Sequence, residues 1–214
     1  MKQPVRVQSL DRAFDILTLL GEVQDGATLS EISEQLNLPK STTHRLLNAM
    51  SQRAFVRKSE RSGLYSLGHG LIDLCANHLN TLELKTESLP LMDELSAITG
   101  NIAFLAIRQH HEIVYIGSRE QVTSLRDYSM IGQRRPLYAS SLGKALLMDM
   151  DESEIRYLLK DVTFEKFGPN THPNIDSLLA DLRECRRRGW ALDNQETKLN
   201  VHCVAAPIYD YRGH

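Results

Sequence analysis

Apolar residues recur at helical spacing through the first fifty positions. Leu10, Ala13, Phe14, Leu17 and Leu20 share one face of a helix over residues 10–20. Ser9 is placed to cap that helix, and Asp11 suits the positive end of its dipole. Gly21 and Gly26 end the pattern. Thr28 and Glu31 form a Thr-x-x-Glu capping box for a short second helix, with Ile32 and Leu36 one turn apart. Asn37-Leu38-Pro39 stops it, and Pro39 suits the first turn of a third helix reaching about Arg53. There Thr43, Leu46, Leu47 and Met50 fall on one face, and Ser41, His44, Arg45 and Asn48 on the other. Two β-favouring segments, near 55–58 and 64–67, flank a polar loop ending in Gly63, which predicts a hairpin. Three helices and a hairpin make a winged helix-turn-helix.

Beyond Gly68 the pattern changes. Leu71, Leu74, Cys75, His78, Leu79 and Leu82, then Leu91, Met92, Leu95 and Ile98, predict a helical connector that Pro90 should kink or restart. Such a connector packs equally well against a twin or within its own chain. From Asn101 the chain is α+β. NIAFLAIR and EIVYIGSR are strand-like and are joined by Gln109-His110-His111, with SLRDYS a further strand candidate. SLGKALLMD, ESEIRYLLK and NIDSLLADLRECRRRG predict helices, the last ended by Gly189, and WALD and VHCVAAPIYD predict strands. The final Asp210-Tyr211-Arg212-Gly213-His214 is a turn signal, so a partner strand is expected after it.

Charge changes this picture only through its distribution. The 214 residues carry a formal net charge of −2, but residues 1–70 hold 9 Lys/Arg against 7 Asp/Glu, and the remainder 16 against 20. A mildly basic head on an acidic remainder suits a DNA-binding unit carried by a sensor. Three widely spaced cysteines, Cys75, Cys185 and Cys203, make no disulfide framework. No signal-peptide pattern or membrane-length apolar run is present, so a cytoplasmic chain without membrane contact is expected.

The polar face of the third helix is either merely solvated or reads DNA. Its chemistry fits the second. Lys40, Ser41 and Thr42 sit at the positive helix end, where phosphate is favoured. Arg45 can pair bidentately with guanine, and His44 and Asn48 can reach base edges. Arg57, Lys58 and Arg61 on the hairpin would neutralise phosphates or enter the minor groove.

The segments VQSLDRAFDIL, LPKSTTHRLL and the hairpin ending YSLG resemble the head of the IclR family of bacterial transcription regulators. LSAITGNIAFLAI, EIVYIGSRE, RRPLYASSLGKALL, RRRGWALDNQE and HCVAAPIYD resemble that family's effector domain, in order. The resemblance covers nearly the whole chain. It implies an α+β fold, with a winged helix-turn-helix over 1–68, a helical linker over 69–100 and a GAF-like effector domain over 101–214. It also implies a further strand and helix, so the domain is expected to be cut short at His214. Its implied partners are double-stranded operator DNA, a small organic acid or sugar acid, and further copies in a homodimer or homotetramer. No cofactor is implied.

ASSLGKALL invites comparison with a phosphate loop, but Tyr138 stands at the first glycine position and Ala145 follows Lys144, which excludes it. The residues alone give a strand-to-helix turn capped by Ser140 or Ser141. The resemblance places this turn at the effector site and carries over Ser141, Leu142, Asp193 and Cys203. Leu142 departs from the small residue usual there. Asp193 otherwise reads as a turn residue and Cys203 as core. His110-His111 and His202-Cys203 are adjacent pairs whose side chains diverge on a strand, and no metal-binding spacing is present. A small-molecule-binding or metal-dependent enzyme with an accessory helical domain is the rival expectation. It would need groups such as His172, Cys185 and Cys203 to meet in the folded chain.

Overall fold

The computed structural model describes residues 7–80, 83–120 and 130–213. The chain divides into two compact units, residues 1–82 and 83–214.

The first unit contains α1 (Gln8–Glu22), α2 (Leu29–Gln35), α3 (Lys40–Ser51), β1 (Val56–Lys58), β2 (Tyr65–Leu67) and α4 (Gly70–Asn80). The helix-turn-helix and hairpin are therefore present. β1 and β2 pair antiparallel, with Arg57 opposite Ser66 and Lys58 opposite Tyr65. The Thr28–Glu31 capping box forms as expected: the Thr28 amide donates to Glu31 Oε2 at 2.7 Å and the Glu31 amide donates to Thr28 Oγ1 at 3.2 Å. Ile16, Leu20, Ile32, Leu47, Met50, Val56 and Tyr65 build the core. Tyr65 is tied to Ala27 by a pair of backbone hydrogen bonds, which fastens the hairpin to the helices.

Two expectations for α1 are corrected. It begins at Gln8 after Val7, with no side-chain cap, so Ser9 lies inside the helix. Ile16, outside the expected face, is buried with Leu20; Ala13 and Leu17 pack partly on the core, and Leu10 and Phe14 stay exposed. The helix carries apolar residues around more than one face, and the position of α3 and the hairpin selects which face is covered.

The second unit opens with α5 (Glu83–Thr99). Pro90 lies inside α5, which continues across it without restarting. A proline there removes its own N–H from the helical ladder and crowds the carbonyl four residues back, and packing of the buried Ser88, Met92 and Ser96 offsets that cost. α5 packs on β3 (Ala103–Gln109) and β4 (Glu112–Arg119), a hairpin whose turn is His110-His111. β5 (Arg134–Pro136) pairs with β4. This strand, short and ended by proline, has no sequence signature, and the SLRDYS candidate lies outside the described residues.

A 3₁₀ turn over Leu137–Ala139 leads into α6 (Ser141–Leu147), followed by α7 (Glu152–Leu158) and α8 (Ile175–Arg188). Gly189 ends α8 in the left-handed conformation, as its sequence predicts. β6 (Ala191–Asn194) and β7 (His202–Ala205) close the unit as an antiparallel pair. α6 touches both sheets and α8, which places it at the centre of the α+β core.

Candidate DNA-binding face and effector site

α3 separates its two faces as its sequence predicts. Thr43 and Leu47 are fully buried, Met50 nearly so and Leu46 partly, while Ser41, His44, Arg45 and Asn48 are exposed. Lys40 at the start of the helix is exposed and Thr42 half-buried. The Thr43 hydroxyl donates back to the Pro39 carbonyl at 3.3 Å, which satisfies it in the core. Asn48 Nδ2 lies 3.5 Å from His44 Nδ1, so these side chains share one patch beside Arg45. On the hairpin, Arg57, Lys58 and Arg61 are exposed, and the Lys58 ammonium sits 5.3 Å from the centre of the Tyr65 ring. Between Lys40 and Ser59 there are five Lys/Arg and no Asp or Glu. Glu60, exposed between Lys58 and Arg61, is the acid of the wing, and the surface stays net basic, as a polyanion requires.

The four candidate effector residues lie on α6, β6 and β7. Ser140 caps α6 by accepting from the Gly143 amide at 3.0 Å, which leaves Ser141 as the first helical residue, buried, with Leu142 half-buried. Gly143 is required here: a Cβ on it would stand 2.2 Å from the Leu137 carbonyl oxygen. Asp193 and Cys203 face each other across the β6–β7 pair. Asp193 is buried and accepts from the Glu196 amide at 2.7 Å and from the Thr197 hydroxyl. It thus organises the turn after β6. The Thr197 hydroxyl also lies 2.7 Å from the Ala139 carbonyl, linking that turn to the approach of α6. Cys203 is exposed in this chain, and Ala205 occupies the core position of β7. A groove of about 850 Å³ lies nearby, with His111, Arg134, Arg135, Tyr138, Thr197 and Lys198 among its lining residues. None of the four candidates lines it.

The structure also gathers residues that sequence reasoning left apart. Lys144 is fully buried, with its ammonium 2.5 Å from Asp181 Oδ2 and 2.6 Å from Glu196 Oε1. Burial pulls the Asp181 carboxyl upward, but His172 and Lys144 beside it outweigh burial and hold it at about 2. The more deeply buried Glu196 goes the other way: desolvation exceeds the attraction of Lys144 and raises its carboxyl. The available signal was Lys144 on the helical stripe shared with the apolar Leu147 and Met148. A lysine on an inward stripe needs a buried partner. His172 meets these carboxylates and not the cysteines; among the described residues, His172, Asp181 and Glu196 are the one trio of metal-capable side chains brought together.

Comparison with known proteins settles the family. Residues 9–60 match the IclR helix-turn-helix domain, and residues 76–214 match the C-terminal domain of bacterial IclR transcriptional regulators. The chain belongs to the IclR family. IclR proteins are DNA-binding transcriptional regulators rather than enzymes, which answers the rival expectation. Among curated IclR relatives, the transcriptional regulator KdgR of Escherichia coli is 34% identical over 212 residues, covering 99% of this chain and 80% of that protein. The E. coli repressor AllR is 32% identical, covering 95% of this chain and 75% of that protein. An IclR regulator structure from Alicyclobacillus acidocaldarius superposes with a TM-score of 0.82 at 29% identity, over 97% of this chain and 84% of that one. An IclR homologue from Microbacterium hydrocarbonoxydans, at 23% identity and a TM-score of 0.81 over 95% of this chain and 84% of that one, shares the fold and was crystallised with 4-hydroxybenzoate.

Proposed function

We propose that this regulator binds a specific operator through α3 and the β1–β2 wing, under control of a small organic acid or sugar acid. Arg45, His44, Asn48 and Ser41 read base edges from the major groove. Lys40 and Thr42 at the helix start, with Arg57, Lys58 and Arg61 on the wing, hold phosphates. The observation that carries this reading is the exposed polar face of α3, held outward by the burial of Thr43, Leu47 and Met50 and free of acidic residues.

The effector site is assigned to Ser141, Leu142, Asp193 and Cys203. Residues 1–68 serve as the DNA-binding head, 69–100 as the linker and 101–214 as the sensor. The chain acts as a homodimer or homotetramer on paired half-sites. Exposed Ile72 and Leu74 on α4, and Leu91, Leu95 and Ile98 on α5, support association along the connector.

Selection of bound fragments from genomic DNA, followed by salt titration of the enriched sequence, tests the proposal. A recurrent motif whose affinity falls steeply with salt is expected. Binding that is blind to sequence and indifferent to salt overturns it.

A further inference from the structure

We infer that His172, Asp181 and Glu196 form a binding site for one divalent transition-metal ion of the zinc class. The inference begins with unmet bonding capacity. Glu196 is only 5% exposed and gives one carboxylate oxygen, Oε1, to Lys144. Its other oxygen, Oε2, and the Nε2 atom of His172 are buried and make no hydrogen bond in the chain. His172 Nε2 lies 3.8 Å from Glu196 Oε2 and 3.5 Å from Asp181 Oδ2, and the three ligand atoms all fall within 4.8 Å of one another.

Those separations suit a small ion. Zinc bonds of about 2.0–2.1 Å to nitrogen and oxygen put tetrahedral neighbours roughly 3.4 Å apart. One imidazole and two carboxylates is a borderline donor set, suited to zinc. Magnesium and calcium prefer shells built of oxygen. The supporting contacts are also those of a ligand set. Ser177 Oγ lies 3.0 Å from His172 Nδ1 and can fix the ring with Nε2 turned inward. The Glu196 backbone is held at both ends: its amide donates to Asp193 Oδ1 at 2.7 Å, and its carbonyl accepts from Thr171 Oγ1 at 2.6 Å.

Lys144 decides the balance of charge. Two carboxylates and one ammonium leave one negative charge beside the imidazole of His172. An incoming divalent ion takes up that charge and the two unbonded atoms together. The ion would join α8, the loop before it and the turn after β6. The hydrogen bond that the Glu196 amide donates to Asp193 makes that same turn part of the proposed effector site.

Zinc titration of the full chain, stripped with a chelator, tests the site by calorimetry, metal analysis and thermal melting. The wild type should take up one zinc equivalent more than His172→Ala and melt at a higher temperature with zinc than without. Ser177→Ala, which leaves all three ligands in place, should bind about ten- to a hundredfold more weakly. Cobalt substitution should give visible absorption bands that His172→Ala lacks. If His172→Ala does not fold, the affinity of Ser177→Ala carries the decision. Equal zinc uptake and affinity in wild type and variants would mean adventitious surface binding and overturn the site. Absence of uptake by the wild type, or equal competition by magnesium, would overturn it as well.

Discussion

At the scale of single residues, Arg45 and Gly143 carry different risks. Arg45 is exposed and makes no core contact, so its replacement tests recognition without touching the fold. Arg45→Ala should weaken binding to the selected operator by roughly 1–3 kcal/mol and relax preference at one base pair, as measured by fluorescence anisotropy on a panel of single-base variants. Equal loss on every sequence would reassign Arg45 to a phosphate. Gly143 is the opposite case. A methyl group there meets backbone, not a movable side chain. Gly143→Ala should cost about 1–3 kcal/mol, the range for an overpacked core, in denaturant unfolding followed by circular dichroism. The two kinds of residue were unequally legible. Arg45 follows from helical periodicity, whereas the need for glycine at 143 depends on Leu137 folding back over it.

At the scale of elements, α2 is short, and its start is fixed by the Thr28–Glu31 box. Removing the cap with Thr28→Ala should cost about 1 kcal/mol of stability in the same assay. The box also has a pH signature. The backbone amide and hydroxyl of Thr28 hold the Glu31 carboxyl below its ordinary value. A carboxyl depressed by folding contributes stability above its unfolded value and loses it as pH falls through the folded one. The stability difference between wild type and Glu31→Gln should therefore be present at neutral pH and fade below the ordinary carboxylate range. A difference that persists there would show that Glu31 acts by packing. In α1 and α5 the local pattern specifies a helix, but the buried face of α1 and the passage of α5 through Pro90 follow from what packs against them.

At the scale of the whole molecule, sensing must appear as linkage between ligand and stability. A small acid that occupies the proposed effector site should raise the melting temperature. At a hundred times its dissociation constant it adds about 2.7 kcal/mol to stability. Screening carboxylic and sugar acids by thermal shift, then repeating the hit on Ser141→Ala and on the operator-bound protein, checks this. A hit that shifts wild type and Ser141→Ala equally would place the ligand elsewhere, with the groove at Arg134, Arg135 and Lys198 the next site to test.

What the sequence determined by itself was local or repetitive: the helix spacing, the Thr28–Glu31 box, the outward polar face of α3, the His110-His111 turn and the stop at Gly189. Each depends on residues within a few positions of one another, so one chain segment contains its cause. The family was legible for a related reason, because its motifs occur in order along nearly the whole chain. What only the tertiary structure decided was every feature made by distant residues. Lys144 reaches Asp181 across 37 positions and Glu196 across 52. Thr197 joins Asp193 to Ala139, the exposed side of α1 is chosen by its neighbours, and β5 exists only as a partner of β4. Burial and charge pairing are set by which segments meet in space, and that meeting has no period along the chain.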